Sequence, residues 1–174
     1  FLVISSGLFL TTTNLDFILL IISYFLISNL YTFLFKRYAY IDLLILSALY
    51  TLRIISGGLI IDISVSIWLL SFSIFFFMSL ASVKRQIELL NLKKLDKQEI
   101  SGRGYTLKDE KIINKISIIS GSMSILVLIL YINSPQVLKL YSTPNILWGM
   151  CLIMTFWIAR IIIISNKGKI EDDP

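Results

Sequence analysis

The sequence predicts an all-α integral membrane protein, and three observations predict it. Of 174 residues, 56% are hydrophobic and 16% charged, and mean hydropathy is +0.84, more apolar than one soluble core requires. Apolar stretches of about 20 residues recur along the chain, and at ~1.5 Å rise per residue each can cross a ~30 Å hydrocarbon layer. Between two of them the chain turns abruptly polar, SLASVKRQIELLNLKKLDKQEISGRGYTLKDEKIINK (79–115), and then apolar again.

Taken in order, residues 1–11 (FLVISSGLFLT) are too short to cross, lack a basic leading region and begin without Met, which predicts the end of a helix rather than a signal peptide. Spans follow at 16–35, 40–60, 65–83, 113–132 and 145–165. That gives about five complete spans plus a partial one. The tail KGKIEDDP stops on Pro after a polar turn, where a further helix could begin. The expectation is a fragment: a single membrane domain over 1–174, with a polar loop at 84–112 inside it.

Basic residues predict the orientation. Lys36 and Arg37 occupy one short connection, nine Lys/Arg lie in or beside the polar shelf, and Lys167 and Lys169 lie in the tail, whereas the opposite loops hold only Lys139. Five spans put the three basic regions on one side, so the positive-inside rule makes the shelf cytoplasmic, in a multi-pass protein of the cell's inner (plasma) membrane. The net charge of +5 suits anionic lipid or phosphate at that face. No basic surface with interleaved aromatics lies outside the membrane boundary, so nucleic acid is not an expected partner.

The chain has no His, and its one Cys, Cys151, falls in an apolar span. Within this chain that excludes His/Cys metal sites, Ser-His-Asp triads, Cys-His nucleophiles and disulfides, and leaves carboxylates, Lys, Arg and Tyr for any chemistry. SGRGY (101–105) has two glycines but not the P-loop pattern.

Two polar clusters stand at the shelf side. If the span 65–83 continues one turn, Lys84 and Glu88 are i,i+4 neighbours and Arg85 lies three residues before Glu88. Such a face could seat a phosphate through charge-assisted hydrogen bonds, with Glu88 orienting Lys84 or contacting a metal; interfacial anchoring explains the same residues. The second cluster, Tyr31, Thr32, Lys36, Arg37 and Asp42, brackets the junction of two spans, as a further phosphate seat or as an aromatic belt with anchoring cations. Arg53 lies about 20 Å from the shelf end of its span, where a guanidinium is costly and takes a partner or snorkels toward Asp62. Ser56, Gly57 and Gly58 beyond it are small enough for close helix packing. Arg160 reads as a snorkelling anchor, and Asp172 and Asp173 as a solvated turn.

Taken together, YTFLFKR, DLLILSALYTLRIISGG, SIWLLSFSIFFFMSLASVKRQIEL, SGRGY and LWGMCLIMTFWIARIIIISNKGKIEDDP resemble the C-terminal two-thirds of a UbiA-superfamily membrane transferase. The resemblance covers nearly the whole chain. It is closest to the bacterial branch with decaprenyl-phosphate phosphoribosyltransferase, some members of which carry a soluble hydrolase-like domain before the membrane part. It implies a UbiA-like bundle of nine transmembrane helices around a cavity open to the cytoplasm and to lipid. Residues 1–11 would then end the third helix and 145–165 form the eighth. The family's first aspartate-rich motif, which holds Mg²⁺ and the donor diphosphate, would lie upstream of Phe1. Where ordinary members have a second aspartate pair, this sequence has Lys84, Arg85 and Glu88.

The resemblance implies ionisation at a carbon bearing diphosphate, with Mg²⁺ and cations taking up the charge of the leaving group. On that reading Lys84 and Glu88 are the catalytic candidates, Glu88 also a metal ligand. Tyr31, Lys36, Arg37, Arg85 and Arg103 bind phosphate, and Asp42, Arg53, Tyr105 and Asp109 support them, the last two shaping a small lid helix over the mouth. The expected activity is transfer of a prenyl group from a polyprenyl diphosphate to an acceptor. The alternatives are phosphoribosyl transfer from a sugar diphosphate to a polyprenyl phosphate, and non-enzymatic lipid binding or transport.

Overall fold

The apolar stretches fold as helices in a computed structural model that describes residues 15–94 and 102–166. The chain runs α1 (Leu15–Phe33), a 3-10 turn (Phe35–Arg37), α2 (Ile41–Ile60), α3 (Ile67–Lys94), a 3-10 turn (Leu107–Asp109), α4 (Glu110–Ile132), the short α5 (Pro135–Leu140) and α6 (Ile146–Asn166). All but α5 are long and apolar enough to cross a membrane, and the described residues contain no strand. The chain is a multi-pass membrane protein.

Neighbours in sequence pack as neighbours in space: α1 on α2, α2 on α3, α3 on α4, with α6 against both α4 and α3. Because lipid tails are as apolar as Leu, close backbone approach rather than greasiness selects these seams. The buried stripe of α4 is accordingly small, with Ser117, Ser120, Gly121 and Ser124. Ser79 Oγ of α3 donates to the Ser117 carbonyl at 2.9 Å. A Cβ on Gly121 would stand 2.9 Å from Ile158 Cγ2 of α6 and 3.1 Å from Ser79 Oγ, so three helices converge there. Large apolar side chains such as Phe25, Leu152 and Phe156 face outward, as a lipid-solvated surface allows.

Two expectations change. The polar segment 84–112 is not a loop throughout: α3 runs 28 residues, about 42 Å at the helical rise and longer than the membrane needs, so it carries the first charges of the shelf on a rigid helix. Residues 95–101 lie outside the described residues, as do 1–14 and the tail with Lys167, Lys169, Asp172 and Asp173. The small residues near Arg53 do not make a helix seam. Gly57 faces open space, and a Cβ on Gly58 would meet the returning chain, 2.9 Å from the Ile63 carbonyl oxygen.

Candidate functional site: a cationic cleft at the polar end of the bundle

Four segments distant in sequence meet at the end of the bundle that carries the shelf. The path begins at Tyr40, whose φ of 67° is one that a bulky residue rarely adopts. The Ile41 amide donates to the Ala39 carbonyl at 2.8 Å across it, closing a γ-turn of the strained kind. This kink starts α2 at once, so Asp42 falls in the first turn of the helix, where a carboxylate suits the helix dipole.

Asp42 is fully buried, and Arg85 from α3 is 1% exposed. Arg85 Nε donates to Asp42 Oδ2 at 2.5 Å and Nη1 to Glu88 Oε1 at 2.6 Å. Tyr31 of α1 donates its hydroxyl to Asp42 Oδ1 at 2.6 Å. Three helices are thus tied by one carboxylate–guanidinium pair, each partner supplying what would otherwise leave the other buried and unpaired. Arg103 completes the group, its Nη1 3.8 Å from Asp42 Oδ2 and 3.7 Å from Glu88 Oε2, within ion-pair range but beyond hydrogen bonding.

A strap formed by residues 102–109 holds Arg103 there. Gly102 has φ of 77°, and a Cβ on Gly104 would run into the Arg37 carbonyl oxygen, so this stretch lies tight on the α1–α2 connection. Tyr105 is fully buried, and its hydroxyl accepts from the Tyr40 amide at 3.0 Å. Burial pushes that hydroxyl up from its ordinary value, and the Asp42 carboxylate pushes it the same way. Tyr40 in turn donates its hydroxyl to Asp109 Oδ1 at 2.6 Å, and this bond, aided by burial, raises the Tyr40 phenol to about 12. Asp109 also closes a capping box with Thr106. Where a small helix was expected, the described residues form a single 3-10 turn, Leu107–Asp109.

Beneath the strap a cleft of ≈ 470 Å³ opens. Tyr31, Lys84, Arg85 and Arg103 line its polar end, and Leu46, Tyr50, Phe77 and Leu80 continue the wall into the span region. Among the described residues that line it, three are cationic and none is a carboxylate. Asp42 and Glu88 stand behind Arg85.

The structure brings together Tyr31, Asp42, Lys84, Arg85, Glu88 and Arg103, with Tyr105 and Asp109 in the strap. Lys36 and Arg37 do not line the cleft; they sit in the 3-10 turn, where the Arg37 backbone supports the strap. Glu88 also pairs with Arg85, a contact beyond the role expected for it toward Lys84. The partner of Arg53 is not Asp62 but Tyr24 of α1, which sequence spacing did not single out.

Glu88 does not fit a resident Mg²⁺. One of its oxygens is bonded to Arg85 and the other faces Arg103, and the described residues contain no group of three His, Cys, Asp or Glu able to hold a metal ion.

No family model and no solved structure matches the chain. It is 36% identical over 152 residues to "Uncharacterized protein y4nM" of Sinorhizobium fredii, an overlap covering 87% of this chain and 30% of that protein. It is 32% identical over 151 residues to "Nodulation protein NoeC" of Azorhizobium caulinodans, covering 87% of this chain and 49% of that protein. The chain spans about half the length of one of these curated relatives and under a third of the other.

Proposed function

We propose that the chain is part of a UbiA-type membrane transferase that seats the phosphorylated head of a polyprenyl lipid in the cationic cleft. The lining of the cleft carries this reading: three cations and a tyrosine at one end, apolar and aromatic walls beyond, and the nearby carboxylates turned inward onto Arg85. A phosphate needs the first and an isoprenoid chain the second. The nine-helix architecture and the cytoplasmic placing of the mouth belong to the same proposal.

In prenyl transfer, the C1–O bond of a polyprenyl diphosphate breaks and its electron pair leaves with the diphosphate. The acceptor forms the new bond to C1 and gives up its proton. Lys84 and Arg103 take up charge on the departing oxygens. Arg85 presents a guanidinium that cannot swing away, because Asp42 and Glu88 hold it. Mg²⁺ belongs to this proposal only through the aspartate-rich motif expected upstream of Phe1.

A second reading is favoured by the cations Lys84, Arg85 and Arg103 that the described lining gathers at one end of the cleft. A cationic pocket suits a polyprenyl monophosphate acceptor, whose phosphate oxygen attacks the anomeric carbon of a phosphoribosyl diphosphate and displaces diphosphate. One experiment separates the two. Membranes expressing the protein are given labelled polyprenyl diphosphate with aromatic acceptors, or polyprenyl phosphate with labelled phosphoribosyl diphosphate, and the lipid products are identified by mass. A prenylated acceptor supports the first reading and a phosphoribosylated lipid the second. The assay uses the full-length protein of which this chain is part, and no product from either pair, with that protein folded in the membrane, rejects the transferase.

A further inference from the structure

Arg53 lies eleven residues after Asp42 on α2, about 16 Å further along the axis, inside the apolar length of the helix. Its Nε and Nη2 donate to the Tyr24 hydroxyl at 3.1 and 2.8 Å, and its guanidinium stacks over the rings of Tyr24 and Tyr50, 5.6 and 5.0 Å from their centroids. Among the described residues no carboxylate pairs with it.

A guanidinium has five N–H groups. Two go to Tyr24, and the other three have no protein partner among the described residues. The Tyr24 hydroxyl accepts both bonds and still has its own proton to give. These donors line an open groove of ≈ 200 Å³ with Ser28, Tyr31 and Thr32, and Arg53 and Tyr50 are exposed along it. Tyr31, Leu46 and Tyr50 line both this groove and the cationic cleft, so the two adjoin. Side chains lean toward the N-terminus of their helix, which for α2 is the polar end. Arg53 therefore leans toward the cleft.

Ring faces lower the cost of a cation in a membrane but leave its charge uncancelled and its N–H groups unmet. An anion meets both needs. We infer that Arg53, Tyr24 and Tyr50 form a second anion seat, deeper than the mouth, that takes a phosphate group. It is a binding site in its own right, whichever group the protein transfers.

The test measures binding rather than turnover, so its failure is distinct from failure of the transferase reading. Protein in nanodiscs of neutral lipid is titrated calorimetrically with dodecyl phosphate, with dodecanol and with inorganic phosphate. With the mouth disabled by Lys84→Gln and Arg103→Gln in every protein compared, Arg53→Gln is expected to weaken dodecyl phosphate at least tenfold and to leave dodecanol unchanged, while Arg53→Lys keeps most of the affinity. Parallel loss of inorganic phosphate means that the seat takes the free ion, and loss of dodecyl phosphate alone means a lipid-borne group. Should Arg53→Gln fail to fold, Ser28→Phe fills the groove without removing the charge and is expected to produce the same loss. Undiminished dodecyl phosphate binding in Ser28→Phe, or in a folded Arg53→Gln, overturns the seat and leaves Arg53 a clamp between α1 and α2.

Discussion

Arg85 and Asp42 are 43 residues apart in sequence, yet Nε and Oδ2 meet at 2.5 Å with both side chains shut away from solvent. Such a pair is costly to build and more costly to halve, because removing one partner strands the other. Asp42→Asn or Arg85→Met alone should cost about 3–5 kcal/mol, and Asp42→Leu combined with Arg85→Met should recover much of that loss. Thermal unfolding of the four proteins in one detergent checks this. Additive, small effects would mean that the pair does not tie α2 to α3.

Lys84 should behave differently, since it lines the cleft and is no part of the Asp42–Arg85 pair. Lys84→Gln is expected to cost far less in unfolding than Asp42→Asn while lowering kcat/KM by about 10- to 150-fold, the range of one charge-assisted hydrogen bond to substrate. Near-wild-type turnover at matched expression would return Lys84 to the role of a headgroup anchor.

The strap offers a steric test. Gly104→Ala places a methyl against the Arg37 carbonyl oxygen, and the backbone must shift to admit it. The expected cost is about 1–3 kcal/mol, concentrated in the strap and not in the helices. Limited proteolysis should cut residues 102–109 faster in this variant while α3 and α4 stay protected. Equal cleavage would show that the strap does not rest on the α1–α2 connection.

The helices were legible because each span carries its signal locally, in about 20 consecutive apolar residues. The charged corner was half legible. KRQIE announces Arg85 and Glu88 on one helix face, and i,i+3 spacing places them together. Nothing local says that Asp42 rather than a phosphate or a metal completes the set, since that contact depends on how α2 lies against α3. Tyr24 and Arg53 are a similar case: 29 residues separate them, and apart from the Arg itself neither stretch departs from ordinary span composition. The γ-turn at Tyr40 was hidden altogether, because the sequence there is not the Gly or Asn that usually marks positive φ.

The Tyr40–Asp109 bond gives the strap a pH limit. Asp109 holds the Tyr40 phenol at about 12, above its ordinary value of 10.0, so the folded state favours the protonated phenol. Its contribution is complete below pH 10 and is lost as pH rises through 12. Strap protection against protease should therefore fall across that window in the wild-type protein. Tyr40→Phe should lack this component while being weaker at neutral pH. A wild-type and a variant that lose protection in parallel would separate the strap from this bond.

The last prediction concerns the two ends of the bundle. Lys108 is exposed on the strap beside the cationic cleft, and Lys139 is exposed on α5, at the end where Trp68 Nε1 donates to Gln136 Oε1. The helices α2, α3, α4 and α6 separate these ends. If the basic side faces the cytoplasm, Lys108→Cys should be shielded from an impermeant thiol reagent in intact cells and should label once the membrane is opened. Lys139→Cys should label in intact cells. Cys151 is buried, and replacing it by Ser supplies the background. Reversed labelling would turn the cleft outward and remove cytoplasmic phosphorylated substrates from the proposal. Labelling of both positions from one side would break the span arrangement itself.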